Sequence, residues 1–528
     1  MDFALASGWE RGAYRAGEEE DGFGGAHVNP WGARESQDFA LQLVRLGVRE
    51  KGRVHSPEIS WPVASICTGS CMDACVLDAV SWAFGQEGMR VGFRTTHFYE
   101  IDEHKNKWCR EVHAHLGEVE SPCAFGNVAE NGEDLPMKCF EHTEGSGKCT
   151  PPAQISGLIG GTSCKDFSRN NVKRLDKGDV ARSSSSPGGS SQTLRGFMCE
   201  LSARCPEWFI WENVDELNSG DQAGLDEVRR QMADKGYDCQ PLVVDSSQYG
   251  LPQKRIRLFI VGLLRPARTL IIPSYSGFFS SFTELMGKFR GQGPSVVDIL
   301  LPDDDLAVRR VLEARKPDTK QMESDTIQKH MVAWRKIGKV FQKDGASAAD
   351  LRSPWWATLN ARDRDMVAFS QHSNQGNEPA DQVARSGVDV ANSIGWSKGC
   401  LTLGEQGQLV LPTVMPGGST WLSLEPGAPP GNTRSVHRLV IGLENMLAQG
   451  WPVLDPRFRS LTLEGNRDNK FFQSLGGNAF PGTVVAALLI AMVFAMDVRA
   501  GGAGRAVVTD GADAERAADF LRKRRRGP

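Results

Sequence analysis

"LIGGTSCKDFSRNN", residues Leu158 to Asn171, reads as an apolar strand that runs into a glycine turn and presents a cysteine, Cys164. The segments around it decide whether that thiol lies in a fold or in a loop. "ISGLIGG" forms the strand itself, and "SQTLRGFMCELSARC" follows with helical spacing of its apolar residues. "EWFIWENV" is a second strand, "AGLDEVRRQMADKG" a helix, and "YDCQPLVVDSS" and "RIRLFIVGLL" two further strands. On the N-terminal side, "PVASI" is a strand, "CTGS" a turn, Met72 to Phe84 a helix, "RTTHFYEID" a strand and "EHKNKWCREVHAH" a helix. Strands alternating with helices of this length imply a mostly parallel sheet with helices on both faces. Ligands of such sheets sit in the loops beyond the carboxyl ends of the strands. "CTGSC", "EID", "TSCKDFS" and "ENV" all occupy such ends, which points to one shared site.

The chain has 528 residues, enough for two or three cores, with 40% hydrophobic and 24% charged residues. Its formal net charge is −4, so any groove for nucleic acid must be a local basic patch. No N-terminal apolar signal segment is evident. The longest apolar run, Val484 to Met496, is too short to span a bilayer and reads as a core helix. Twelve cysteines without regular pairing suggest free thiols in a reducing compartment.

Five segments are expected. Residues 1–58 read as a flexible extension with one short helix at "SQDFALQLVRLGVRE", 59–265 as the alternating α/β domain that carries the shared strand-end site, and 266–436 as an irregular second domain. Residues 437–498 return to the first domain, and 499–528 form a basic tail ending "LRKRRRGP", a nuclear-import signal or a phosphate clamp. "SSSSPGG", Ser183 to Gly189, reads as a flexible insertion.

The order of the pieces "ICTGSCMD", "FYEID", "FGNV", "GGTSCKDFS", "WENV", "YGLPQKRIRLFIVG", "GLENMLAQGWP" and "SLGGNAF" resembles that of the DNA (cytosine-5) methyltransferases, from about Val63 to Val498. The resemblance implies an α/β, Rossmann-like S-adenosylmethionine-dependent methyltransferase fold with a smaller, irregular target-recognition domain at 266–436. It implies DNA as partner, with tRNA or an inactive nucleic-acid-binding relative as alternatives. It also implies S-adenosyl-L-methionine as cofactor. A monomer away from membranes is expected, in the nucleus of a eukaryotic cell or otherwise in the cytoplasm. Two departures fall on the site. The family's Phe-x-Gly-x-Gly turn is here Cys67-Thr68-Gly69-Ser70-Cys71, and its Pro-Pro-Cys-Gln is Thr162-Ser163-Cys164-Lys165.

Carbon 5 of cytosine is a poor nucleophile until a thiolate adds to carbon 6, which assigns covalent catalysis to Cys164. Its thiolate needs cations, and Lys165 and Arg169 are near in sequence. Glu212 ends a buried strand, where a carboxyl group can donate a proton; the resemblance directs that proton to the ring nitrogen. Asn213 is expected to hold the loop by local hydrogen bonds. Gln253, Arg255 and Arg257 alternate along a strand, so the two arginines are expected on one face. The resemblance gives Arg257 to the base's carbonyl oxygen and Arg255 to the catalytic loop. For the cofactor it implies Cys67, Thr68, Gly69, Ser70 and Cys71 in the turn, Glu100 (with Asp102 as rival) at the ribose, Ile101 on the adenine face, and Asn127 and Asn478 nearby. The Cys71 side chain is expected to take space that glycine leaves empty.

Cys109, Cys123, Cys139 and Cys149, with His113 and His115, lack the close pairs of structural zinc sites, so unligated thiols and no metal are expected. Trp355, Trp356, Arg362 and Arg364 either supply stacking and phosphate contacts to nucleic acid or form a small core with a solvated charge run.

Overall fold

The computed structural model describes residues 36–54, 59–117, 120–130, 136–142, 147–168, 176–219, 223–265, 275–317, 321–341, 348–374, 385–391, 401–404, 407–425 and 435–496. Arg169 and the basic tail lie outside these residues.

Nine strands lead the chain to the end of its main sheet: β1 (Ile59–Ile66), β2 (Val91–Tyr99), β3 (Cys123–Phe125), β4 (Met137–Lys138), β5 (Lys148–Cys149), β6 (Gly157–Gly161), β7 (Trp208–Val214), β8 (Tyr237–Asp245) and β9 (Ile256–Leu264). Seven of them form one sheet in the order β3-β2-β1-β6-β7-β9-β8, while β4 and β5 pair only with each other. β3, β2, β1, β6 and β7 are parallel, and β9 runs antiparallel to both of its neighbours. The crossovers run through α2 (Met72–Gln86), α3 (Glu103–Leu116), the pair α4 (Lys177–Arg182) and α5 (Ser190–Arg204), and α6 (Ala223–Asp234). β8 and β9 are joined by a short connection with only a 3-10 turn, Ser246–Gln248, and no α-helical crossover, as an antiparallel pair allows. "LIGG" and "WFIW" are buried on both faces, as central strands of such a sheet must be. The order reverses between β1 and β6, and loops at that switch point form the usual ligand crevice.

Gly482–Ala495 is apolar all round and is buried along its whole length, so it needs partners on every side. Those partners are α1 (Ser36–Lys51), α2 and α7 (Tyr275–Lys288). A Cβ on Gly47 of α1 would lie 2.3 Å from the Phe494 ring. Lys51–Glu284 at 3.0 Å and Lys288–Glu50 at 2.7 Å tie α1 to α7. Two boundaries therefore differ from expectation. The flexible extension does not reach residue 58, because Phe39, Ala40, Leu43 and Val44 of α1 are core residues. The second domain does not begin at 266, because α7 packs on the core helix.

Farther along, β10 (Arg385–Asp389) pairs with β13 (Thr420–Leu424), which pairs with β14 (Val436–Leu439); β11 (Thr402–Leu403) and β12 (Leu409–Val410) form a small hairpin. Trp355 and Trp356 are buried here, Trp356 against Trp421 with ring centroids 5.7 Å apart. Arg362 donates to the Val390 carbonyl, and Arg364 to those of Trp356 and Ala357. The two tryptophans belong to a small core, and the two partly exposed arginines hydrogen-bond to its backbone carbonyls.

Candidate active site

β6 ends at Gly161 beside Glu212 of β7. A Cβ on Gly161 would stand 2.7 Å from the Phe480 ring and 3.4 Å from Glu212 Oε2, so only glycine lets these groups converge. Thr162 then anchors the loop. Its hydroxyl accepts from Trp211 Nε1 and Asn213 Nδ2, both at 3.1 Å, and its carbonyl accepts from Asn213 Nδ2 at 3.2 Å. Asn213 thus has its expected loop-holding place.

Cys164 follows, half-buried. Burial is the largest influence on its thiol and raises the pKa; the Glu212 charge raises it further, while Arg257 and Arg255 pull it down. The cations that favour the thiolate thus come from the segment at β9. Lys165, expected in that role, is exposed.

Arg257 Nε meets Glu212 Oε1 at 3.1 Å, with both side chains largely buried. Arg255 does not share this position. It lies just before β9 begins, so strand alternation does not govern it. Its guanidinium is buried and donates to the carbonyls of Val414, Gly477 and Ala479 at 3.1–3.3 Å. Burial, with the charge of Arg257, brings its pKa down to about 9. Gln253 Oε1 accepts from Val414 N at 2.8 Å, and its Nε2 donates to Ala448 O. Arg255 and Gln253 therefore brace the returning chain.

Sequence reasoning missed Asp166. Its carboxylate accepts from Ser186 Oγ at 2.6 Å, Gly188 N at 2.8 Å and Ser190 N at 3.0 Å. Burial opposes the charged form, yet these hydrogen bonds outweigh it and hold the carboxyl below the usual range. Ser163 Oγ also donates to Gly188 O. "SSSSPGG", expected as a flexible insertion, is thus the cradle of the nucleophile loop. An Asp two residues after the cysteine, with a Ser/Gly run downstream, was the available signal.

Across the switch point, the turn Cys67–Cys71 is left-handed at Cys67, Gly69 and Cys71, with φ of 57°, 56° and 61°. Thr68 Oγ1 donates to Asp73 at 2.7 Å. The Ser70 carbonyl accepts from two indoles, Trp108 and Trp451, each at 3.0 Å, a pair that the sequence did not reveal. The Cys71 side chain is fully buried against α3, with Sγ 3.9 Å from the Cys109 carbonyl. It packs into the core on the α3 side of the turn, filling space that a glycine would leave empty.

Glu100 is buried, and its carboxylate accepts from Gly69 N and Asp102 N, both at 2.9 Å. Asp102, the rival, caps α3 through His104 N and Lys105 N. Ile101 is 70% exposed at the β2 tip, an apolar surface open to a flat ligand. Asn127 uses its amide oxygen to accept from Ala129 N. A Cβ on Gly69 would meet the Asn478 carbonyl at 3.5 Å, which places Asn478 beside the turn.

The thiol group expected from the sequence is arranged differently. Cys109 lies with Cys71, His113 stacks on Phe98, and His115 contacts Glu111 and Ser460. Cys123, Cys139 and Cys149 instead converge on His142, which was not a candidate.

The strand order and the antiparallel β9 define a Rossmann-like α/β fold of the methyltransferase class, with its strand order reversing between β1 and β6. Residues 127–394, half of the chain, match the model of the C-5 cytosine-specific DNA methylases, and the chain belongs to that family. The match leaves out the Cys67–Cys71 turn and "SLGGNAF". Type II methyltransferase M.NmeDI of Neisseria meningitidis is 32% identical over 112 residues, covering 21% of this chain and 24% of that protein. Type II methyltransferase M.AplI of Arthrospira platensis is 30% identical over 198 residues, 37% of this chain and 49% of that one. DNA (cytosine-5-)-methyltransferase DMT5 of Cryptococcus neoformans is 22% identical over 464 residues, 81% of this chain and 17% of that one. The chain therefore spans under half the length of each of these relatives.

Proposed function

We propose that this protein methylates carbon 5 of cytosine in DNA, with Cys164 as a transient nucleophile. The supporting observation is the meeting of Cys164, Glu212 and Arg257 at the β6 and β7 tips, where the charges of both partners bear on the thiol. Sγ forms a bond to carbon 6, and the displaced electron pair moves through the ring to N3, which takes up a proton. The proton lost by the thiol equals the one gained at N3, and Glu212 is the group that carries it. Arg257 turns its guanidinium to the base's carbonyl oxygen. Carbon 5 thereby becomes nucleophilic. Once it carries its methyl group, a water molecule takes its hydrogen as a proton, the C5–H electron pair re-forms the carbon 5–carbon 6 double bond and expels the Cys164 thiolate, and N3 returns its proton to Glu212, which restores the aromatic ring. The base must leave the duplex stack to reach Cys164.

S-adenosylmethionine, when bound, supplies an electrophilic methyl group. The residues fit it: Gly69 permits close backbone approach, Ile101 offers an open apolar face, and Glu100 lies between them with hydrogen-bonding capacity remaining on its oxygens. DNA is favoured over tRNA as substrate because the Cys-Phe-Thr tripeptide of the family's tRNA-directed members is absent. In a eukaryotic cell, the reaction takes place in the nucleus. The test is a duplex containing 5-fluorocytosine, incubated with protein and S-adenosylmethionine. A denaturation-resistant adduct should form with the wild type and not with Cys164→Ser. An adduct on tRNA alone would overturn the substrate, and no adduct on either would overturn the activity.

A further inference from the structure

Cys123 opens β3, an edge strand of the main sheet; Cys139 follows β4, and Cys149 ends β5. Their sulfurs and one His142 nitrogen all lie within 4.8 Å of one another. His142 Nδ1 is 3.5 Å from each of the three sulfurs. Four ligands at tetrahedral angles, with metal–sulfur and metal–nitrogen lengths of about 2.3 and 2.05 Å, put sulfur and nitrogen about 3.5–3.6 Å apart. We infer that Cys123, Cys139, Cys149 and His142 form a structural zinc site.

The backbone supports the same assignment. His142 N lies 3.4 Å from Cys139 Sγ, an amide-to-sulfur hydrogen bond that stabilises a thiolate. Cys139-x-x-His142 is the close pair that a search among cysteines alone does not find. β4 and β5 have two residues each, too few to hold a hairpin in place without a cross-link. Phe140 N donates to Ala124 O at 2.8 Å, so the hairpin docks on β3 beside the edge of the sheet. Three thiolates and an imidazole select Zn²⁺ over hard cations, and four protein ligands leave no position for a substrate. The zinc fastens the edge strand and the following loop with Asn127, on the cofactor side of the site.

The test uses the full chain, purified under reducing conditions without a metal-affinity step. Wild type should carry about one zinc per chain by elemental analysis. Cys139→Ala/Cys149→Ala should lose it at least about tenfold, while Cys239→Ser on β8 should keep it. Independently, wild type stripped by chelator should bind Co²⁺ with the thiolate charge-transfer and intense visible bands of a tetrahedral site, and Zn²⁺ should erase them. Zinc-free wild type without that Co²⁺ spectrum, or full zinc content in the double variant, would overturn the inference. The wild-type measurement decides the matter even if the double variant fails to fold.

Discussion

Replacing Glu212 by Gln separates the two things this carboxylate does to Cys164. Its charge raises the thiol pKa, and in the proposed reaction it carries the proton to the ring. Glu212→Gln removes the negative charge and releases Arg257 from its 3.1 Å ion pair, so both changes favour the thiolate. The Glu212 side chain is only 12% exposed, so solvent screening is limited. Neighbouring charges shift a pKa by about 1–3 units, and the lower end, about one unit, corresponds to about 1.4 kcal/mol. At a pH below the pKa, that is about tenfold more thiolate. A less basic thiolate is also a weaker nucleophile, with a slope of about 0.4–0.5, so the net gain in alkylation rate is about three- to fourfold.

The measurement is the rate of iodoacetamide labelling at the Cys164 peptide, followed by mass spectrometry near neutral pH, beside methyl transfer from radiolabelled donor. Turnover should fall by about 100-fold or more with the proton carrier gone. Labelling should rise as turnover falls, and a merely misfolded variant would not show that combination in a protein whose melting is unchanged. Near-normal turnover would refute the proton-carrying role. Labelling that stays level or drops would refute the electrostatic account of the thiol.

Arg257→Ala should move both readouts down, labelling by about threefold and turnover by about 100-fold, because it removes a cation that favours the thiolate and the proposed partner of the carbonyl oxygen. Asp166→Asn places an amide NH2 opposite donors, Ser186 and Ser190 or Gly188. It should cost about 2–3 kcal/mol in urea unfolding and slow turnover with the sheet intact. The Asp166 carboxyl lies below its unfolded value. Its contribution should therefore be complete above about pH 5 and be lost as pH falls through the folded pKa; the Asn variant should lack that part of the acid dependence. Arg255→Ala strands three carbonyls and should lower stability by about 3 kcal/mol, read as a drop in the urea midpoint.

The regular half of the molecule was legible because its strands and helices repeat at their own periods. Met72–Gln86, Glu103–Leu116 and Ala223–Asp234 begin where the sequence places them, and the strand tips carry Glu100, Cys164 and Glu212. What escaped was long-range. Nothing local tells that α1 covers Phe494, since its partner lies more than 400 residues away. "SSSSPGG" has the composition of a linker, yet its amides and hydroxyl are satisfied by one buried carboxylate from another segment. β10 to β14 have two to five residues each, too short for alternation to show. The zinc ligands escaped because the close pair mixes residue types and the others arrive from β3 and the end of β5.

The glycine turn shows how a departure from a family pattern can keep a left-handed backbone conformation. Cys71 stands where the second glycine belongs, at φ 61°, a conformation that costs a non-glycine residue about 1–2 kcal/mol. Its side chain is fully buried against α3, and the backbone beside it is held by Trp108 and Trp451 on the Ser70 carbonyl. Hydrogen bonds and packing around the turn thus supply the conformation that glycine would have adopted freely. On that account Cys71→Gly relieves strain and loses a small buried side chain, two terms of opposite sign and about equal size, about 1 kcal/mol each. Melting should shift little, and calorimetric affinity for S-adenosylmethionine should stay within about threefold of wild type, since the thiol packs in the core. A gain of more than about tenfold would mean that Cys71 obstructs the crevice after all, and that the turn binds its ligand in a conformation other than the one seen here.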